Sequence, residues 1–146
     1  MTPVSLGPDE TKTMAQLHAA AFPERDAWSA RAFRELVSLP SNSAFGIADK
    51  QTLHALLLVQ FTDPELEILT IATVPEARRQ GFAKLLIAHA EQKFRPEKSM
   101  LDVAADNLGA IAFYNSLGFS EDARRKGYYK RLEGQRIDAI LMSKLS

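Results

Sequence analysis

Cysteine is absent from the 146 residues, which removes disulfide frameworks, thiolate zinc sites and thiol nucleophiles together. No apolar run approaches the roughly 20 residues that a membrane-spanning helix needs. The longest nearly unbroken one, Leu53 to Phe61, carries His54. Met1 to Glu10 has no basic residue ahead of an apolar run, so no secretory signal is expected and the cytoplasm is the expected compartment. Net charge is missing too, because eighteen Lys and Arg stand against eighteen Asp and Glu. A dedicated nucleic-acid binder is usually strongly basic, so that role is not expected. His18, His54 and His89 fall on separate segments without metal-ligand spacing, and no metal is expected. With no heptad seam or long apolar tail, a monomer is expected.

What is present is ordinary for a folded chain: 46% hydrophobic and 25% charged residues exclude disorder as the main state. The length suits one domain, residues 1–146, around one core. The charge is unevenly distributed. Residues 1–75 hold five Lys/Arg against nine Asp/Glu, net −4, and residues 76–146 hold thirteen against nine, net +4. The second half suits an anion and the first half a basic partner.

Helical spacing of Met14, Leu17 and Ala21 behind Pro8, Asp9 and Glu10 predicts a first helix. Ser29 can cap a second, carrying Phe33, Leu36 and Val37 and stopped by Pro40. Three strands follow at 43–49, 52–61 and 65–74, separated by Asp49-Lys50 and Asp63-Pro64, as in an antiparallel meander. Ala83, Leu86, Ile87 and Ala90 then share one face of a helix over 81–95. A short apolar strand at 99–104 precedes a helix capped by Asn107 and ended by Gly118. Phe119 to Leu145 reads as a closing hairpin turning at Leu132, Glu133 and Gly134. The fold class is α/β (α+β), a mixed sheet that is antiparallel at first and parallel where the third helix crosses over.

Arg78-Arg79-Gln80-Gly81-Phe82-Ala83 lies between a strand end and a helix start, where free N–H groups and the helix dipole favour a phosphate. No Gly-Lys-Ser/Thr and no three-glycine dinucleotide fingerprint is present. Arg78-x-x-Gly81-x-Ala83, preceded by Ile71-Ala72-Thr73-Val74-Pro75, resembles the pyrophosphate loop of the GNAT superfamily of N-acetyltransferases. Leu101 to Asn107 and Ala110 to Phe119 resemble the second half of that superfamily. Trp28-Ser29, Arg124-Arg125, Tyr128-Tyr129, Gly134 and Asp138-Ala139 are similar to bacterial ribosomal-protein-alanine N-acetyltransferases.

The resemblance implies a mostly antiparallel sheet of about seven strands with flanking helices. It implies acetyl-coenzyme A in an opening between the fourth and fifth strands. Its pantetheine would pair with the backbone of Ile71, Ala72 and Thr73, and its pyrophosphate would rest on Arg79, Gln80, Gly81, Phe82, Ala83 and Lys84, with Asn107 as a further contact. Tyr114 matches the superfamily's acid for the departing thiolate. Asp102 stands where the resembling enzymes carry a glutamate base; being one methylene shorter, it acts through water or leaves the task to Glu67. The implied acceptor is the N-terminal amine of a protein, with a ribosomal protein beginning in alanine favoured. A lysine side chain or small amine, and a non-catalytic acyl-coenzyme A module, are the alternatives. Residues 22–39 and 124–138 are expected to set the acceptor.

Overall fold

The computed structural model describes residues 1–23, 26–131 and 134–146. The elements run β1 (Val4–Leu6), α1 (Thr11–Ala21), α2 (Ala30–Val37), β2 (Asn42–Asp49), β3 (Thr52–Thr62), β4 (Glu65–Thr73), α3 (Phe82–Phe94), β5 (Lys98–Ala104), α4 (Leu108–Ser116), β6 (Ser120–Lys130) and β7 (Arg136–Leu145). Pro8–Glu10 forms a 3-10 turn that feeds α1. The capping residues act as their chemistry requires. Ser29 Oγ accepts the Ala32 N–H at 3.1 Å, and Asn107 Oδ1 accepts the Ala110 N–H at 3.2 Å. In the β6–β7 connection, Leu132 and Glu133 of the expected turn lie outside the described residues, while Gly134 has φ +77°.

The strands form one seven-stranded sheet in the order β1-β2-β3-β4-β5-β7-β6. Every neighbouring pair is antiparallel except β4 and β5, which are joined through α3. β1 is an addition to the sequence reading. It spans three residues, too few to show a period, and exists through pairing with Ala44, Phe45 and Gly46 of β2.

The expectation of one core is corrected, because the sheet separates two. Successive residues of a strand point to opposite faces. Ala55, Leu57 and Val59 therefore pack with Leu86, Ile87 and Ala90 of α3 and Tyr114 of α4. Leu56 and Leu58 pack on the other face with Met14 and Leu17 of α1 and Phe33 of α2.

β4 changes face partway along. Val59 pairs with Ile68 but Leu58 pairs with Thr70, so Leu69 is an extra residue, a β-bulge. Bulges bend a strand and interrupt its ladder. The parallel pairing with β5 accordingly ends at Ile68 and Leu101, although β4 continues to Thr73 and β5 to Ala104. The two strands part there, and the sheet is split from the bulge onward.

Beyond β7, the outer strand β6 is exposed along nearly its whole length. No described helix is long and apolar enough to cross a membrane.

Candidate active site

The split between β4 and β5 opens a cavity of about 720 Å³, within the range of small-molecule sites. Ile71, Ala72 and Thr73 form one rim and Asp102 lies on the other. Past Ile68, β4 has no strand ladder on its β5 side, which leaves a strand edge able to pair with an extended amide chain. The cavity passes through the sheet. On the α3/α4 face it is lined by Ala83, Asn107 and Tyr114, and on the α1/α2 face by His18, Phe22 and Trp28.

Two helices start at the α3/α4 side. Gly81 precedes α3 with φ +76°, a left-handed conformation that costs a side-chain-bearing residue about 1 kcal/mol or more. It turns the chain so that the first N–H groups of α3, those of Phe82, Ala83 and Lys84, lack intrahelical partners. Ala83 lines the cavity, whereas Arg79, Gln80, Gly81, Phe82 and Lys84 lie outside its wall, in and just after the turn. Asn107 both caps α4 and faces the cavity.

Tyr114 is buried among Phe113 and Phe119, with ring centroids 5.4 and 5.8 Å away. Burial pushes its phenol up to about 12, above the value near 10 expected of an unperturbed tyrosine. It stays protonated at neutral pH and presents an O–H donor. A thiol has an ordinary value of about 8.5, so full proton transfer from this phenol to a thiolate is uphill. Hydrogen-bond donation to developing negative charge is what the environment favours.

Asp102 projects from β5 toward the α1/α2 face, since Leu101 and Val103 belong to the opposite core. Its carboxylate stands 3.9 Å from Arg125 Nη1. Glu67 projects from β4 to the same face but is not among the lining residues. Burial raises the Glu67 carboxyl above its ordinary value, the neighbouring Asp102 charge raises it further, and Arg125 opposes both. The structure therefore brings the two carboxylates into one electrostatic unit with Asp102 at the cavity wall.

The segments expected to set the acceptor contribute Phe22, Pro23, Asp26, Ala27 and Trp28, and from the other side Tyr129 and Arg131. Arg131 was not legible as a site residue. Its side chain is 11% exposed, and its guanidinium binds Asp106 with Nε and Nη2 at 3.2 and 3.0 Å and lies 3.9 Å from Asp26. It also stacks 5.6 Å from the centre of the Tyr129 ring. Two segments distant in sequence, at Asp26 and Asp106, converge on this one cation, and no local pattern could have announced it. Arg124 does not join them, being paired with Glu121 at 3.1 Å at the surface. Among the described residues no cluster of three or more metal-ligating side chains occurs.

A seven-stranded mixed sheet split between its parallel strands, with a helix start at one mouth of the cleft, is the architecture of an acyl-transfer enzyme. The chain belongs to the acetyltransferase (GNAT) family, whose model matches residues 11–119, and the protein is an N-acetyltransferase. It is similar to the ribosomal protein bS18-alanine N-acetyltransferase of Escherichia coli, with 35% identity over 102 residues and 68% of each chain covered. It is also similar to an N-alpha-acetyltransferase of Mycobacterium tuberculosis, at 29% identity over 88% of this chain and 85% of the relative. Among solved structures, a ribosomal-protein-alanine N-acetyltransferase from Escherichia coli superposes with a TM-score of 0.88 at 28% identity, covering 99% of this chain and 92% of the other.

Proposed function

We propose that this enzyme transfers the acetyl group of acetyl-coenzyme A to the α-amino group of a protein N-terminus, and that the acceptor is a ribosomal protein beginning with alanine. The observation that carries the reading is the cavity through the sheet, whose two mouths differ in chemistry. The α3/α4 mouth has the open edge of β4 for pantetheine amides and a helix start for pyrophosphate. The α1/α2 mouth has Asp26, Asp102, Asp106 and the nearby Glu67 against Arg125 and Arg131, two more acids than bases. A cationic acceptor arriving as an ammonium fits that side. The names of the relatives from Escherichia coli and Mycobacterium tuberculosis support an N-terminal acceptor.

An α-amino group has an ordinary pKa near about 8 and must lose a proton before its lone pair can attack. Asp102, at the cavity wall, takes that proton directly or through water, and Glu67 behind it strengthens the site's affinity for the proton. The neutral nitrogen forms a C–N bond to the thioester carbonyl carbon as the C–S bond breaks. The electron pair of that bond leaves on sulfur, where the Tyr114 O–H hydrogen-bonds the developing thiolate. The nitrogen's second proton provides the one that thiol formation needs, passing through solvent or Asp102.

Incubating the enzyme with acetyl-coenzyme A and peptides beginning with alanine should release thiol and place the acetyl group on the first nitrogen, as read by fragment mass spectrometry. Acetylation confined to lysine side chains or polyamines would remove the N-terminal reading.

A further inference from the structure

His18 lies at the base of the wall that faces the acceptor, and its ring is 1% exposed. Both nitrogens are used. Nδ1 accepts the backbone N–H of Trp28 at 3.0 Å, and Nε2 lies 2.9 Å from Thr70 Oγ1. Since Nδ1 accepts, the ring hydrogen sits on Nε2 and is donated to Thr70. The ring is stacked between Phe22 at 4.3 Å and Trp28 at 5.2 Å, with Phe33 edge-on at 5.4 Å. Thr70 is the residue immediately after the bulge in β4. His18 therefore ties the α1–α2 connection, which supplies Phe22, Pro23, Asp26, Ala27 and Trp28 to the cavity, to the strand whose departure from β5 opens that cavity.

Accepting the reading of the α1/α2 mouth as the acceptor side, we propose that His18 is a positioning residue for the acceptor. By holding the Trp28 backbone at a set distance from β4, it fixes the wall against which the acceptor's first residues lie. It lines the α1/α2 face of the cavity, away from the helix start and the β4 edge assigned above to acetyl-coenzyme A. Losing the link should therefore weaken acceptor binding and leave acetyl-coenzyme A binding alone.

Trp28 is the chain's one tryptophan, so its fluorescence reports this wall without any turnover. The two side-chain amides separate the two ring nitrogens: Asn places an acceptor where Nδ1 stands, and Gln places a donor where Nε2 stands. His18→Gln should raise the KM for an alanine-initiated peptide about tenfold, the worth of one hydrogen bond, with KM for acetyl-coenzyme A and kcat near wild type. Acrylamide quenching of Trp28 should increase in the same variant. His18→Asn, which keeps the Trp28 bond but cannot reach Thr70, and Thr70→Val, which leaves the ring in place, both break the tie at its β4 end and should shift both quantities as Gln does. Equal quenching and equal peptide KM across wild type, His18→Gln and Thr70→Val would overturn the proposal, as would a matching rise in the KM for acetyl-coenzyme A. A wild-type enzyme that does not turn over the peptide would sink the acceptor reading, while the quenching series still decides whether His18 sets Trp28.

Discussion

At the scale of single residues, the site separates groups by environment. Tyr114→Phe removes a hydroxyl and leaves the ring, so turnover should fall by about 10²–10³-fold, the cost of losing one donor to developing charge, with acetyl-coenzyme A affinity little changed. Because burial lifts the Tyr114 phenol to about 12, the wild-type rate should show no descending limb from this group up to about pH 10, where an ordinary tyrosine titrates. Such a limb, absent in Tyr114→Phe, would contradict that. Asp102→Asn should also slow the enzyme, but recover partly as pH passes the acceptor ammonium's value. Removing the Asp102 charge lowers the Glu67 carboxyl, since Asp102 is one of the causes that raise it, so any acidic limb should move to lower pH in this variant. His18 titrates in the opposite sense. Burial lowers it to about 4, with Asp26 pulling it back up, against about 6.5 in an unfolded chain. The His18 contribution to folding stability is therefore complete above pH 6.5 and is lost as pH falls toward 4, an effect of up to about 3 kcal/mol at 1.36 kcal/mol per unit. Melting curves across that window should slope less for His18→Asn; identical slopes would exclude His18 as the cause. Asp102, Tyr114 and Asn107 were legible because each sits in a short motif. His18 was not, because its partner Thr70 lies 52 residues away.

At the scale of elements, local chemistry was legible and sheet geometry was not. Ser29 and Asn107 cap their helices because an oxygen one or two bonds from Cβ reaches a free N–H, a rule that needs no tertiary partner. The bulge at Leu69 was hidden because past Glu67 the strand reads Ile-Leu-Thr-Ile-Ala-Thr, with no charged residue to mark either face, so an extra residue breaks no visible alternation. Its importance can be tested by deletion. Without Leu69, Ile68 and Thr70 become consecutive and retain the faces they already occupy, so β4 can run straight and continue its pairing with β5. Deleting Leu69 should leave a folded protein whose calorimetric acetyl-coenzyme A binding is lost. Gly81 tests the other mouth. A Cβ there meets nothing within 4 Å, so Gly81→Ala should cost only the about 1 kcal/mol of a left-handed residue. If the pyrophosphate rests on this helix start as proposed, Gly81→Glu adds a charge beside it and should weaken cofactor binding strongly as well. Equal cofactor affinity in the two variants would place the phosphates elsewhere.

At the scale of the whole molecule, two cores on either side of a split sheet couple ligand occupancy to stability. Acetyl-coenzyme A at 100 times its Kd should stabilise the fold by about 2.7 kcal/mol, several degrees of melting temperature at about 2–4 °C per kcal/mol, with ATP and NAD well behind. The same sheet ends in β6, whose outer edge has no strand beside it among the described residues. Its eleven residues carry Arg124, Arg125, Lys126 and Lys130 against Glu121 and Asp122. With a sequence pI of about 6.8, copies of this protein meet near neutral pH with almost no overall repulsion. Colloidal stability then rests on local charge at the one long edge where a second chain could add itself, the device by which exposed strands resist fibrous growth. Replacing Arg124, Lys126 and Lys130 with threonine should make the protein scatter light at neutral pH more than the wild type does, first and most at high salt, where the remaining charges are screened.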